Sequence, residues 1–466
     1  MTRNWTAKMF LVATMALTCG CAGLALEHEA RARRDVAAVQ GTYRPVSSRP
    51  ALPKLTPASP LADLIRYAVL NNPSAESAFY QWKAAVEEIT LARSLPDPML
   101  NINAEITRSL EGLTPAIMSD PMANWPGPGK LPLRAQQAYH EAQRKRAKFE
   151  NELLTVTLNV KRSYYQLWVL QEQIRWTSQI AVVATQSEQD ALQRLTVGKS
   201  LQQDVLRAQM ERDRIRNDLA NLQDSRDSVL ARLRAALGLG PREPLPDFQL
   251  RLDPAAADFT EASLLETAMA RNPRLKEMRS EVDRAMAMYA LAQKTAVPDY
   301  SWGVGVNVLQ TPLPVMPSFG ITLPIWRDKI AAEIAKGQAG VDAARARLSA
   351  EELDLAVRFA EAALAWRQAD RNVRLYGQQL LPKAKATMES ARAGYVAGSS
   401  GFLELLEAQR SLLDVNMNHS MAVGQREIAF SELSLVVLGR MPAAAQGLAA
   451  PPPVAGRAEV RSSPKK

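Results

Sequence analysis

Glu404 and Glu407 stand three residues apart, a spacing that puts both carboxylates on one face of a helix. They follow a glycine turn, Ala397-Gly398-Ser399-Ser400, and Asp204 follows a similar one, Val197-Gly198-Lys199-Ser200. Their chemistry is electrostatic: either they attract cations or they are solvated charges on a helix surface. His28, His140 and His419 are far apart in the chain, and no Cys/His cluster has metal-ligand spacing, so no metal site is expected. Met286 and Met288 offer at most a weak soft-metal contact; methionine elsewhere reads as helix packing. No Ser/His/Asp or paired-carboxylate constellation is present, which argues against an enzyme and implies no cofactor. Cys21 is the one candidate for covalent modification. A basic start (Arg3, Lys8), an apolar run from Met9 to Leu17 and the stretch Leu17-Thr18-Cys19-Gly20-Cys21 resemble a bacterial lipobox, cut before Cys21 and then acylated. The other reading is an ordinary signal peptide with an incidental cysteine.

Both cysteines of the chain lie in that segment, so the mature protein forms no internal disulfide and depends on packing and assembly. The 466 residues are 47% hydrophobic but only 6% aromatic, with Ala, Leu, Arg, Glu and Gln dominating long stretches. That mix favours long helices. The net charge of +9 is spread among interleaved acids and bases, which is a solvated surface and no nucleic-acid signature.

The chain repeats itself. Asn72-Pro73 recurs as Asn272-Pro273, Gly198 as Gly398 and Ala208-Gln209 as Ala408-Gln409, at one offset (272 − 72 = 200). Leu237-Gly238 returns slightly out of step as Leu438-Gly439. So long a unit is a duplicated half-protein rather than a solenoid repeat. The boundaries expected are 1–20 for the signal, 21–58 for an acylated, extended tether, 59–245 and 246–441 for the halves, and 442–466 for a disordered tail.

Each half reads as helix, hairpin, long helix, helix. Helical spacing over 60–95 and 260–296 ends at Pro96-Asp97 and Pro298-Asp299. The period then becomes two: Leu100, Ile102, Ala104 and Ile106 alternate with polar residues, and Tyr300, Trp302, Val304 and Val306 alternate with Ser and Gly. Strands are expected at about 99–108, 116–125, 300–309 and 318–324. One face is bulky and apolar and the other small and polar, as in a barrel wall between lipid and water. Four strands leave open edges that hydrocarbon cannot satisfy, so closure must come from other copies, and a trimer would supply twelve strands. Trp302 reads as lipid-facing, and Trp125 and Trp326 as interface aromatics or as packing. No proline or glycine interrupts residues from about Leu133 to Val197, a helix roughly 100 Å long that must lie in a bundle. Its second-half counterpart is kinked by Pro382.

Taken together, these motifs resemble the TolC-type outer-membrane efflux family. They are the paired Asn-Pro and Pro-Asp steps, Trp125-Pro-Gly-Pro-Gly-Lys130, Leu323-Pro-Ile-Trp-Arg327, and each glycine turn before Asp/Glu-x-Leu-x-Ala-Gln. The resemblance covers residues 58 to 441. It implies a mainly α fold with transmembrane β: a homotrimeric barrel in the outer membrane, lipid-anchored, continued by a periplasmic helical tube. It implies as partners a periplasmic adaptor, an inner-membrane pump of the resistance-nodulation-division type and outer-membrane lipid. By motif position it makes Asp204, Glu404 and Glu407, with Tyr395, the periplasmic gate, though Tyr395 reads equally as a packing aromatic. It makes Val197, Gly198, Lys199, Ala397, Gly398 and Ser399 the adaptor-docking tips. Pro-Gly-Lys-Leu and Pro-Ile-Trp-Arg-Asp-Lys are similar to members serving heavy-metal pumps, which favours metal cations as cargo over organic compounds. A non-pore coiled-coil surface lipoprotein explains the long helices but not the two-faced hairpins.

Overall fold

The computed structural model describes residues 27–45, 49–109, 112–198, 200–252, 261–307 and 314–441. Its elements are α1 (Glu27–Tyr43), α2 (Leu61–Asn71), α3 (Pro73–Arg93), β1 (Met99–Ser109), β2 (Gly112–Trp125), α4 (Lys130–Thr196) and α5 (Gln202–Leu237). The second half follows with α6 (Glu261–Arg271), α7 (Pro273–Gln293), β3 (Tyr300–Asn307), β4 (Val315–Ile321), α8 (Arg327–Arg374), α9 (Leu381–Ala397) and α10 (Phe402–Ser431). The chain divides into two compact units. One holds residues up to Ala38, Gln81–Arg146 and Glu277–Leu348; the other holds Val39–Tyr80, Ala147–Lys276 and the chain from Ser349.

The first unit contains a four-stranded antiparallel sheet in the order β1-β2-β3-β4. The two hairpins of the repeat are joined by β2 and β3, with Trp125 opposite Tyr300 and Ala123 opposite Trp302. Cross-strand partners share a face, so Trp125, Tyr300, Trp302, Phe319 and Ile321 lie together. Trp125 stacks on Trp302 at 5.9 Å. Phe319 is 73% exposed and Leu100 62%, so this apolar face has no cover among the described residues. Ser301, Gly303, Gly305, Ser318 and Gly320 occupy the other face. β1 and β4 are open edges; the sheet does not close on itself.

The prolines at the sheet base serve a specific junction. Asp299 Oδ1 accepts hydrogen bonds from the Gly127 amide (2.5 Å) and from Lys130 Nζ (2.8 Å). The Asp299 backbone in turn pairs with Thr322, whose N–H donates to its carbonyl at 2.9 Å. One residue, through its carboxylate and its backbone, therefore ties the end of β2, the start of β3 and the end of β4. Burial pushes this carboxyl up, but the bonds from Lys130 and Gly127 outweigh it and hold it below the ordinary aspartate value.

In the second unit the duplicated Asn-Pro steps explain themselves. Sequence periodicity predicts one helix over 60–95 and one over 260–296, but each is broken, at Asn72 and Asn272. A residue before proline is pushed out of the helical region, and Asn72 has ψ 125°. Proline then opens the next helix, where its missing N–H costs nothing. The asparagine side chain bonds in both directions. Asn272 Oδ1 accepts from the Arg274 amide (2.8 Å), and Nδ2 donates to the carbonyls of Val436 and Val437 (2.9 and 3.0 Å). Asn72 does likewise with Ser74 and Ala236. Each asparagine thus caps the end of its own half's last helix. The glycines that follow, Gly238 (φ 73°) and Gly439 (φ 63°), lie in the left-handed region; a Cβ on Gly238 would meet Asn71 O at 2.8 Å. The slip from an offset of 200 to 201 falls where α10 ends in a π-helical turn, Glu432–Val437, whose wider loop takes in an extra residue. A second π turn, Leu375–Leu380, precedes Pro382, and the helix resumes as α9.

One expectation is corrected. The segment read as an extended tether contains α1. Ala32, Val36, Val39 and Tyr43, at helical spacing, are each at most 6% exposed, so an apolar stripe overrode the polar composition. In the first unit its Glu29 is 2% exposed, accepts from Thr90 Oγ1 (2.7 Å) and pairs with Arg93 (2.5 Å). In the second unit Tyr43 packs edge-on against Phe79 at 5.3 Å. The signal segment, Cys21 and the tail 442–466 lie outside the described residues.

Two outcomes are expected. Gly238→Ala should cost about 1–3 kcal/mol through its left-handed φ alone. Gly240→Ala, whose Cβ would meet only the Glu243 side chain at 3.4 Å, should cost little. The urea transition of the helical circular dichroism compares the two. For Asp299→Asn, the lowered carboxyl stabilises the fold fully above the unfolded value near pH 4 and loses this effect as pH falls through its folded value. The melting deficit of the variant should therefore be present at pH 7 and shrink in acid.

Candidate functional site

The two glycine turns lie at the ends of helical hairpins, α4–α5 and α9–α10, in the second unit. Gly198 (φ 71°) and Gly398 (φ 77°) take the left-handed conformation that lets each helix stop and reverse. At the second turn the amides of Ser399 and Ser400 both donate to Gly394 O, at 2.9 and 3.3 Å. At the first, Asp204 closes the start of α5: its Oδ2 accepts from the Leu201 amide and from Ser200 Oγ, both at 3.3 Å. A carboxylate in a first turn also meets the positive end of the helix.

The hairpins are joined by a small apolar core of Ala191, Val205, Ala208, Tyr395, Phe402, Leu405 and Leu406. Tyr395 is 6% exposed, its ring 5.6 Å from Phe402 and 4.2 Å beneath the Arg194 guanidinium. Burial pushes its phenol up, with Arg194 pulling back only in part, so it stays neutral. Its hydroxyl has no hydrogen-bond partner among the described residues. Arg194 also donates to Val396 O at 3.2 Å, so one residue of the first hairpin grips both ring and backbone of the second.

Glu404 and Glu407 are both exposed, while Leu405, Leu406, Ala408 and Gln409 of the same helix are buried. The carboxylates thus point away from the inter-hairpin core. Asp204 does not join them; it serves its helix end. Of the tip residues, Val197 (64% exposed), Ala397 and Ser399 are bare, and Lys199 lies outside the described residues. Just behind the tips a polar layer joins the hairpins. Arg410 Nε donates to Glu211 Oε1 (2.9 Å) and Gln409 Nε2 to Ser187 Oγ (2.9 Å), while within the first hairpin Arg212 grips Glu188 at 2.6 Å. Glu188 and Glu211 are buried. None of Arg194, Glu211 or Arg410 stood out in the sequence. The partners of Arg194 and Arg410 lie about one repeat away, and only the superposition of the two tips links them.

In the first unit Trp125 and Trp302 form the stacked pair of the sheet face, and Trp326 is 70% exposed at the start of α8. His28 and His140, far apart in sequence, both pack against Tyr139, and His140 Nδ1 lies 3.9 Å from Asp283. Among the described residues no group of three or more His, Cys, Asp or Glu is arranged to hold a metal ion. Met286 and Met288 are 40% and 43% exposed on α7. No described helix is long and apolar enough to cross a membrane.

The family model described as "outer membrane efflux protein" matches residues 64–239 and again 264–437, one match for each half. The chain belongs to the outer membrane efflux protein family. It is accordingly an outer-membrane channel that extends into the periplasm, of a family of transport channels and not of enzymes. Its relatives include the cobalt-zinc-cadmium resistance protein CzcC of Cupriavidus metallidurans, 23% identical over 85% of this chain and 93% of the relative. The protein CyaE of Bordetella pertussis is 27% identical over 88% and 91%. Among solved structures, CusC superposes with a TM-score of 0.72 at 18% identity, over 84% of this chain and 98% of that one. VceC of Vibrio cholerae gives 0.69 at 17%, over 81% and 96%. These structural likenesses establish the shared fold of the efflux proteins.

Tyr395→Phe should leave the tip as stable as before, because the hydroxyl has no partner there. Tyr395→Ala should remove about 3–5 kcal/mol of local stability, seen as faster hydrogen exchange at residues 191–195 and 402–406. Equal losses in both variants would mean that the hydroxyl, and not the ring, holds the hairpins.

Proposed function

We propose that this chain is the passive outer-membrane duct of a tripartite export system and that its cargo is heavy-metal cations. Three copies close a twelve-stranded barrel, and the helices form a tube through the periplasm. An adaptor docks at Val197–Lys199 and Ala397–Ser399, and an inner-membrane pump of the resistance-nodulation-division type supplies the energy. Acylated Cys21 anchors the mature chain, with 59–245 and 246–441 as its two repeats. The observation that carries this reading is the sheet: an uncovered apolar face, a small polar face behind it, and two edges that await strands.

Glu404 and Glu407 support a cation-favouring gate because both are exposed and share one helix face. In a trimer they form two stacked acidic rings. The metal cargo is supported by CzcC, whose name states cobalt, zinc and cadmium resistance. Organic cargo is the second reading: the relatives CyaE and TolC of Vibrio cholerae, the latter 26% identical over 78% of this chain, carry no metal in their names. A surface scaffold without a pore leaves the apolar sheet face without a purpose.

In planar bilayers the purified protein should conduct with a preference for cations. Glu404→Ala/Glu407→Ala should conduct more or lose that preference. Conductance with unchanged selectivity sinks the acidic rings, and absence of any conductance sinks the duct.

A further inference from the structure

The two halves differ where their long helices should match. In the first half α4 runs unbroken from Lys130 to Thr196. In the second the same stretch is interrupted by the π turn Leu375–Leu380, with Pro382 just beyond it. At the offset of 200, Gly377 and Pro382 stand where the first half has Thr177 and Val182. Proline lacks an N–H, and in a regular helix its ring clashes with the carbonyl four residues back. The wider turn relieves that clash, and its closing bond runs from the Leu381 amide to Tyr376 O. No side chain of the turn is buried, so its own packing does little to hold it.

The turn rests instead on α10. A Cβ on Gly377 would lie 2.8 Å from His419 Nε2 and 3.2 Å from its Cδ2, so the imidazole sits directly on bare backbone. The facing stretch of α10 is itself soft. Asn416 Nδ2 donates to Leu412 O (2.7 Å) and Ser420 Oγ to Asn416 O (2.9 Å), bonds that compete with the helix ladder. Gly424 follows, a residue that weakens a helix interior. Both arms of the second hairpin are thus weakened at one level, and His419 joins them there. Glu404 and Glu407, at the start of α10, lie on the tip side of this level.

We infer that the turn at Gly377 is the pivot of the second hairpin and that His419 is its proton-sensitive latch, neutral when closed and released in acid. Burial pushes the His419 imidazole below the ordinary histidine value; Arg426 adds to this, and Glu172 of α4 opposes it only in part. Both of those charges are already engaged. Arg426 Nη2 donates to Glu427 Oε1 at 2.7 Å and its Nη1 lies 3.9 Å from Asp370 of α8, while Glu172 pairs with Arg175. Asp370 pairs in turn with Arg374, and Tyr376 is the titratable group of the turn itself. A histidine that packs neutral stabilises the closed contact fully above its free value of about 6.5. That contribution is lost as pH falls through the lowered packed value. Acid therefore frees the pivot, and the tip carboxylates move with it. This inference rests on the second hairpin alone and needs neither a closed barrel nor a particular cargo, so it and the export reading can fail separately.

Hydrogen exchange at residues 375–381 reads the pivot in the full chain, kept in detergent as its native assembly. Rates near pH 7.5 and near pH 5, on either side of the free histidine value, are corrected for the intrinsic effect of pH. We expect about tenfold faster corrected exchange in acid, with residues 175–181 of α4 unchanged. Of the neutral variants His419→Gln and His419→Phe, at least one should keep the slow rate at both pH values. His419→Lys should be fast at both, and so should Gly377→Ala, whose methyl displaces the ring. The proposal is overturned if the wild type shows no acceleration or if α4 accelerates equally. It is overturned as well if neither neutral variant holds the slow rate in acid, or if His419→Lys stays slow.

Discussion

Along the outer sides of β1 and β4 the backbone N–H and C=O groups have no strand to pair with among the described residues, and the apolar face between them is exposed. In water such edges are solvated; in hydrocarbon each unpaired group costs several kcal/mol. A family of outer-membrane channels must resolve this conflict, and the rest of the chain is arranged around the need. The hairpins are joined in one sheet by β2 and β3, so a single copy presents one edge of each polarity. Asp299 fixes the base of that sheet by holding three chain junctions on one carboxylate and one backbone unit.

The helical hairpins answer a different requirement. Each half closes through its Asn-Pro and Leu-Gly pair, so the last helix of a half is capped by the first. At the tips the closure is mixed. A seven-residue apolar core holds the hairpins together, and charges on the neighbouring turns set their register. Glu404 and Glu407 are left free of that core, which is the condition for them to act on something outside the subunit.

Much of this was legible in the residues. The change of period from helical to two located all four strands to within a few residues, because a half-exposed strand cannot avoid alternating. Proline marked each exchange of helix for strand. The helix α1 was missed because its stripe of Ala32, Val36, Val39 and Tyr43 is thin and embedded among six charged residues of Glu27–Tyr43. The breaks at Asn72 and Asn272 were missed because proline is welcome at a first turn, so the periodic pattern continues through it. Asp204 looked like a partner of Glu404, yet the same position relative to the turn became a helix cap in one half and a bare charge in the other. Pairs such as Arg194 with Val396 have no local trace at all; they are set by how the tips meet.

The π turn at Glu432–Val437 bears on how such a duplicated chain ages. An odd residue gained inside an ordinary helix rotates everything beyond it by about 100°, which here would swing the closing glycine away from its asparagine. Widening a single loop of the spiral absorbs the addition on the spot. Two copies of one ancestral half can thus drift in length while their ends still meet, and that tolerance is written in the chain as a slip of one in the count.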